Sequence, residues 1–148
     1  MKKELIFIGF VLLLFYGIHG FPTDMETLTG VTTIDVNVYD TYFVIESNLY
    51  LIFTLLFTFS ITYLIRILVT RFENQIANYI YLISNGLFIV ALVFVIRFFN
   101  TMLRDFQEEG LQIDQVFYNF FYFTTALFIF SVIFEIYVLF KIRKQSTT

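Results

Sequence analysis

The chain has no cysteine, no tryptophan, one histidine and one proline among its 148 residues. Without cysteine it forms no disulfide, offers no thiolate nucleophile and carries no lipid on a cysteine. Because His19 is the only histidine, one copy cannot supply two axial haem ligands or a histidine-rich metal site. The net charge is −3 and there is no long basic run, so nucleic acid is not an expected partner. We therefore expect no cofactor, and these absences disfavour an enzyme.

Charge is also scarce, since charged residues are 14% of the chain and hydrophobic residues 59%. Soluble domains average about 25% charged and about 45–50% apolar residues. Four apolar runs approach or exceed the length of about 20 residues that crosses a bilayer. They cover residues 5–21, 48–69, 79–99 and 117–140. Each is predicted to be a helix, because a backbone in hydrocarbon must satisfy its own hydrogen bonds.

The predicted fold class is all-α integral membrane, with residues 1–148 forming a single membrane domain. Its expected architecture is a four-transmembrane-helix bundle with outer loops at residues 22–47 and 100–116. The first span has an alternative interpretation, because a basic start, an apolar centre and Gly20 also resemble a secretory signal peptide. We expect a retained span, and intact mass distinguishes the two.

Lysine and arginine near the span ends predict the orientation. If the N-terminus is cytoplasmic, seven basic residues lie inside and two, Arg97 and Arg104, lie outside. The seven are Lys2, Lys3, Arg66, Arg71, Lys141, Arg143 and Lys144. We therefore expect both termini in the cytoplasm, in a bacterial inner membrane.

Two charged residues, Arg66 and Glu135, lie within predicted spans. Each is five or six residues from the next basic residue, Arg71 or Lys141, which places it roughly 8–9 Å inside the inner boundary. A lone charge at that depth is costly. We expect the two to form a structural ion pair across spans two and four; the alternative is that each extends separately to the cytoplasm.

Hydroxyl residues continue from these two charges along each helix. Thr54, Thr58 and Thr62 recur at steps of four before Arg66, and Thr124 and Ser131 precede Glu135 at helical spacing. Such stripes are typical of close helix packing in membranes. The alternative is a polar path through the bundle.

The first outer loop contains a strand-like segment at residues 33–38. Ile34, Val36 and Val38 alternate with Asp35 and Asn37, which is the period of a strand with one apolar face. An isolated strand is marginal in water, so we expect this one to pair with another segment. Ser47 or Asn48 is expected to cap the following helix.

The same loop carries a local sequence resemblance. Asp35, Val36 and Val38, followed by residues 40–45 (DTYFVI), resemble the helix-start motif of the heme-copper oxidase catalytic subunit. The family's metal-binding histidine is replaced here by Tyr39, and its haem ligands by Ser47 and Leu49, so the resemblance implies no metal or haem site. It implies a respiratory connection; the alternative is a coincidental match at a strand-to-helix junction.

The two acids of this motif, Asp35 and Asp40, are the candidates for contact with an outer cation or a partner. The alternative for Asp40 is a solvated or turn-capping side chain. The expected partners are the lipid bilayer and either other membrane subunits or further copies of the chain.

The sequence therefore predicts a small, non-catalytic structural or accessory subunit of a larger membrane complex, with a respiratory link. The alternative is a small transporter, a channel or a quinone-binding membrane protein.

Overall fold

The structure, a computed structural model, describes residues 2–19, 33–38, 41–108, 110 and 115–145. The elements are α1 (Lys2–His19), β1 (Thr33–Val38), β2 (Thr41–Glu46), α2 (Ser47–Val69), α3 (Gln75–Glu108) and α4 (Gln115–Gln145). They fall into two compact units, Met1–Ser84 and Asn85–Thr148, and the border lies within α3.

Among the residues that the structure describes, three helices, α2, α3 and α4, are long and apolar enough to cross a membrane. The predicted spans at 48–69, 79–99 and 117–140 lie within them, which supports an integral membrane protein. Helix α1 has 18 residues and begins with Lys2, Lys3 and Glu4. Its described apolar part is therefore shorter than the about 20 residues of a typical span, and the fourth predicted span, 5–21, is not among the three; residues 20 and 21 of that span lie outside the described residues.

In the first unit, α1 packs antiparallel against the end of α2. Phe7, Val11 and Phe15 recur every four residues and so share one face of α1, and Val11 and Phe15 are buried. The Phe7 ring meets the Tyr63 ring edge-on, with 5.5 Å between centroids. Since Tyr63 and Ile67 are fully buried, this contact anchors the start of α1 to the last turns of α2.

Strands β1 and β2 form an antiparallel pair, in a register from Thr33 opposite Glu46 to Val38 opposite Thr41. The partner of residues 33–38 is thus the segment just before α2. Glu46 is still extended, at φ −60° and ψ 128°, and makes no side-chain cap bond. The expected cap by Ser47 or Asn48 is therefore wrong, because β2 runs directly into the helix and Ser47 is already helical.

The turn from α2 to α3 closes in a Schellman-type arrangement. The N–H of Phe72 donates to Ile67 O at 2.9 Å and the N–H of Arg71 to Leu68 O at 3.2 Å, and both residues have positive φ, 50° for Arg71 and 66° for Phe72. Phe72 and Ile67 are both buried, and they occupy the two positions whose apolar side chains usually meet in this motif. The two helix ends are thereby held close together.

The second unit contains the rest of α3 and all of α4. Phe117, near the start of α4, contacts Phe99 and Phe106 of α3 at centroid distances of 5.0 and 6.1 Å. Helix α3 therefore continues to Glu108 instead of ending where the outer loop 100–116 was expected. The apolar run 79–99 is shorter than α3, because Phe106 lies beyond the run and still packs on α4. Gly110, at φ 69°, follows the helix.

Candidate functional site

In the described part of the first unit, one carboxylate is held by three N–H donors. Glu4 accepts from Arg66 Nε at 3.1 Å, from Arg66 Nη2 at 2.5 Å and from Asn74 Nδ2 at 2.6 Å. Paired guanidinium bonds of this kind are among the strongest hydrogen bonds in proteins. We call Glu4, Phe7, Tyr63, Arg66 and Asn74 the Glu4 cluster.

Local structure places each member of the Glu4 cluster. Arg66 lies in the last turn of α2, and Glu4 in the first turn of α1. Asn74 caps α3: its Oδ1 accepts from the Ala77 N–H at 3.2 Å, a standard N-cap bond. The same amide donates to Glu4, so one side chain both starts α3 and joins it to α1. The cluster thus connects three helix ends.

The aromatic members shield this ion pair from solvent. The Arg66 guanidinium carbon lies 4.0 Å from the centroid of the Phe7 ring, a cation–π contact. The side chains of Arg66 and Glu4 are 22% and 7% exposed. Burial alone raises the pKa of Glu4, which precedes the apolar run 5–21. The bonds from Arg66 and Asn74 and the nearby positive charges outweigh burial and hold that pKa below its ordinary value.

Two buried polar atoms near this end of the unit have no hydrogen-bond partner within the described residues. They are the Tyr63 hydroxyl oxygen and Asn78 Oδ1. The Tyr63 ring lies against Phe7 and stacks on Phe59 at 6.1 Å. Asn78 donates through Nδ2 to Phe72 O at 2.7 Å, which secures the turn. An unsatisfied buried group costs free energy, so the Tyr63 hydroxyl does not stabilise the packing.

The second unit has its own polar contact, between α3 and α4. Asn85, which is buried, donates to Glu135 Oε2 at 2.7 Å and to the Ser131 carbonyl at 3.1 Å. A Cβ added to Gly86 would lie 3.9 Å from Glu135 Oε1. The small residue and the amide together let α4 bring a carboxylate close to α3, as expected for helices that associate in a membrane.

The structure gives Arg66 and Glu135 different partners from the expected ones. The acid that pairs with Arg66 is Glu4, whereas the sequence-based interpretation assigned that role to Glu135. Glu135 instead accepts from Asn85, within the second unit. The reason is connectivity, since successive antiparallel helices bring the start of α1 beside the end of α2.

The hydroxyl stripes bond mainly to their own helices. Thr54 donates to Tyr50 O at 2.8 Å, Thr58 to Thr54 O at 2.8 Å and Thr124 to Phe120 O at 2.8 Å. Such bonds to the preceding turn satisfy a hydroxyl without a partner helix. These three hydroxyls are therefore satisfied within their own helices, and they do not by themselves indicate a polar path through the bundle.

The candidate outer acids are only partly located. Asp35 lies in β1, opposite Val44 of β2. Asp40 lies outside the described residues. Within the part of the chain that the structure describes, no group of three or more His, Asp or Glu side chains is placed to hold a metal ion.

Sequence reasoning missed Glu4, Asn74 and Asn85 as polar partners. Glu4 had a detectable signal: it is the only acid in the basic start MKKE, directly before an apolar run. Asn85 was visible only as one of several polar residues in span three. Asn74 had no signal beyond its position before a helix.

Comparisons of the chain with protein-family models, curated proteins and solved structures find no match. Function is therefore inferred from the chemistry of the described residues. The Glu4 cluster and the Asn85–Glu135 contact can fix helix positions.

Proposed function

We propose that this chain is a small, non-catalytic accessory subunit of a larger membrane complex. One observation carries the proposal: several strongly polar groups of its helices are bonded inside each unit, while the outward faces are bulky and apolar. Glu4 with Arg66, and Glu135 with Asn85, use short internal bonds. A subunit that supports others needs a stable shape and a large apolar surface.

The outward surface is extensive in all three long helices. Only 17% of the most apolar window of α2, 28% of that of α3 and 17% of that of α4 is buried. Large aromatic side chains of α4, including Phe123 and Phe130, are more than half exposed. Lipid covers part of such a surface, but membrane helices also associate by van der Waals packing. Phenylalanine provides large contact areas for that packing.

The proposed topology has four spans, with α1 as the first and both termini in the cytoplasm. It is supported by the Glu4–Arg66 pair, because removal of α1 leaves Arg66 without the carboxylate it bonds. The seven-to-two distribution of basic residues supports the orientation. Intact mass of the purified protein, and reporter fusions at each terminus, test both points. A mature chain that lacks the α1 residues, or reporters on the outer side, would contradict this topology.

The proposed complex is respiratory, and the basis is the motif at residues 35–45. Its residues 41–45 lie in β2, which leads directly into α2, so the outer hairpin and the start of α2 form a candidate contact with an oxidase. The contact would involve Asp35 and Asp40 as partner or cation contacts.

The decisive experiment is affinity purification in a mild detergent, followed by mass determination and identification of co-purifying subunits. We expect a species heavier than one chain that contains other membrane proteins, with haem oxidase subunits among them if the respiratory link is correct. Purification in a harsh detergent is the matched control and should release the chain. A monodisperse monomer in both detergents would refute the accessory role. A Soret band stoichiometric with the isolated chain would refute its non-catalytic nature.

A transporter is the second candidate, and Glu135 is the observation that favours it. A carboxylate within a membrane helix is frequently part of an ion or proton pathway, and its polar partner here is the neutral amide of Asn85. Ion flux into liposomes that contain only this chain tests this function. Flux abolished by Glu135→Gln would support it, and no flux above that of empty liposomes would exclude it.

A further inference from the structure

We propose that the outward face of α3 binds a membrane-spanning helix of a different subunit, and that this helix carries an aspartate or glutamate at the level of Arg97. The face consists of Leu87, Val90, Phe94, Arg97 and Thr101, and we call it the α3 seam. This inference rests on the accessory role proposed above, and it adds the surface that is used and the chemistry of the partner.

The residues of the α3 seam recur with a regular spacing. Successive members are three, four, three and four residues apart, which is 14 residues in four steps or 3.5 residues a step. This is the repeat with which one helix packs along another. At about 100° per residue, the five positions fall within an arc of about 80° on one side of the helix. A lipid acyl chain requires no such repeat, so the spacing favours a helix as the occupant.

The α3 seam lies on the side of the helix that faces away from α4. Its three apolar members are each more than half exposed, and its two polar members are exposed as well. The opposite side of α3 is buried at Asn85, Phe88 and Leu92, and Asn85 bonds α4 there. A further helix can therefore pack against the seam without displacing α4.

The charge on the α3 seam specifies the partner. Arg97 lies two residues before the end of the apolar run 79–99, and it forms no ion pair with the residues that the structure describes. The acids that follow it in α3 are directed to another arginine, since Arg104 Nε lies 3.9 Å from Asp105 Oδ1 and 3.8 Å from Glu108 Oε1. Charged side chains in membrane helices usually pair with one another. A carboxylate on the helix that packs against the seam would supply the countercharge for Arg97.

The same charge argues against a second copy of the chain as the occupant. Two copies inserted in the same direction hold their α3 helices parallel, so identical seams would place Arg97 opposite Arg97, and like charges at a contact repel. The other described helices contain two acids, Glu4 and Glu135, and both are bonded within their own units. The carboxylate is therefore expected from a different protein.

Site-specific photo-cross-linking in native membranes tests the surface. One chain carries p-benzoylphenylalanine in place of Phe94, and the control carries it in place of Phe123 of α4, because the two residues are 67% and 65% exposed. We expect the Phe94 position to cross-link to one helix of another membrane protein. Mass spectrometry of the cross-linked peptide should find an aspartate or glutamate about one turn from the reacted residue, as Arg97 is from Phe94. The Phe123 position should not yield that product.

Charge variants test the ion pair. Arg97→Gln should lower the yield of the Phe94 cross-link by about threefold to tenfold, the range that a polar bond between membrane helices contributes. Arg104→Gln is the matched control and should leave the yield unchanged, because Arg104 is compensated within its own helix. Arg97→Glu, combined with an arginine in place of the partner's acid, should restore the yield.

The outcomes distinguish this inference from the accessory role. A Phe94 product that contains lipid, a second copy of the chain, or a helix without an acid near the contact overturns the inference, even if a charge variant fails to fold. Equal losses from Arg97→Gln and Arg104→Gln overturn it too. If other subunits co-purify with the chain and Phe94 yields no helix product, the inference fails and the accessory role stands. If no other protein co-purifies, both fail.

Discussion

At the scale of residues, Glu4 shows how a carboxylate is accommodated at the end of an apolar helix. Its residue exposure is 5%, and a buried charge is costly unless it is paired and hydrogen-bonded. Arg66 supplies the charge and two N–H groups, and Asn74 supplies a third. Removing either member of the ion pair therefore leaves the other charge poorly solvated.

A double-mutant cycle tests this pair. Glu4→Gln and Arg66→Gln are each expected to lower the free energy of unfolding by about 1–3 kcal/mol, since breaking a buried pair costs about 3–5 kcal/mol and the partial exposure of Arg66 reduces that. The double variant should lose less than the sum of the two. Thermal unfolding in detergent measures the effect. The matched cycle pairs Arg66→Gln with Glu135→Gln and should be additive; strict additivity for Glu4 and Arg66 would contradict the cluster.

The Glu4 cluster also predicts a pH dependence. The pKa of Glu4 in the folded protein lies below the ordinary glutamate value of 4.5, so the folded protein holds the ionised form more tightly than the unfolded chain does. The stabilisation is present above that value and is lost as the pH falls through the folded-state pKa. We expect the stability difference between wild type and Glu4→Gln to be constant from pH 7 to about 5 and to shrink below pH 4.5. A difference that persists unchanged to pH 3 would argue against it.

At Tyr63 we predict a substitution that does not destabilise the protein. Its ring is packed between Phe7 and Phe59, but its hydroxyl has no hydrogen-bond partner in the described part of the chain. Tyr63→Phe keeps the ring contacts and removes the unsatisfied group, so it should be neutral or should stabilise by about 1 kcal/mol. Tyr63→Leu, the control, loses the ring contacts and should destabilise. If Tyr63→Phe lowered the melting temperature as much as Tyr63→Leu does, the hydroxyl would have to make an important bond.

At the scale of elements, the β1–β2 strand pair continues directly into α2. Strand β2 ends at Glu46 and α2 begins at Ser47, with no connecting residue between them. The position of the strand pair is therefore coupled to the start of a membrane helix.

The register can be tested by cross-linking, because the chain has no native cysteine. Val36 lies opposite Phe43 and Asn37 opposite Tyr42. Directly opposed antiparallel residues have Cα atoms about 4.5–5.5 Å apart, within disulfide range. We expect Val36→Cys with Phe43→Cys to form an intramolecular disulfide on mild oxidation, visible as a gel-mobility shift. Val36→Cys with Val44→Cys is offset by one residue and should react much less; the reverse order would indicate a shifted register.

At the scale of the whole molecule, α1 is the helix on which the proposed fourth span depends. Its apolar face buries Val11 and Phe15, and its first turn supplies Glu4 to Arg66. The proposed topology keeps this segment in the folded protein; without it, Arg66 would lose the carboxylate that it bonds.

Deletion of α1 tests this role directly. A chain without residues 2–19, directed to the membrane by an unrelated signal, should be recovered at low yield or as an aggregate. Adding Arg66→Leu should partly restore recovery, because it removes the uncompensated charge. Size-exclusion chromatography in detergent measures both variants. A shortened chain as monodisperse and heat-stable as the full chain would show that α1 is dispensable, as a signal peptide would be.

By itself, the sequence determined the features that depend on neighbouring residues. Runs of apolar residues located α2, α3 and α4, because span length follows from bilayer thickness. Alternation at residues 33–38 indicated a strand, because side chains alternate between the two faces of a strand. Helix ends were less well defined: α3 extends to Glu108 because Phe106 packs on Phe117, a contact that no local pattern shows.

Only the tertiary structure decided which polar groups meet. Glu4 and Arg66 are 62 positions apart, and Asn85 and Glu135 are 50 apart. Their pairing depends on which helices are neighbours, and depth in the bilayer alone could not distinguish Glu4 from Glu135 as the partner of Arg66. The segment that pairs with β1 was decided in the same way, since a strand pattern specifies one apolar face but not the edge to which it bonds.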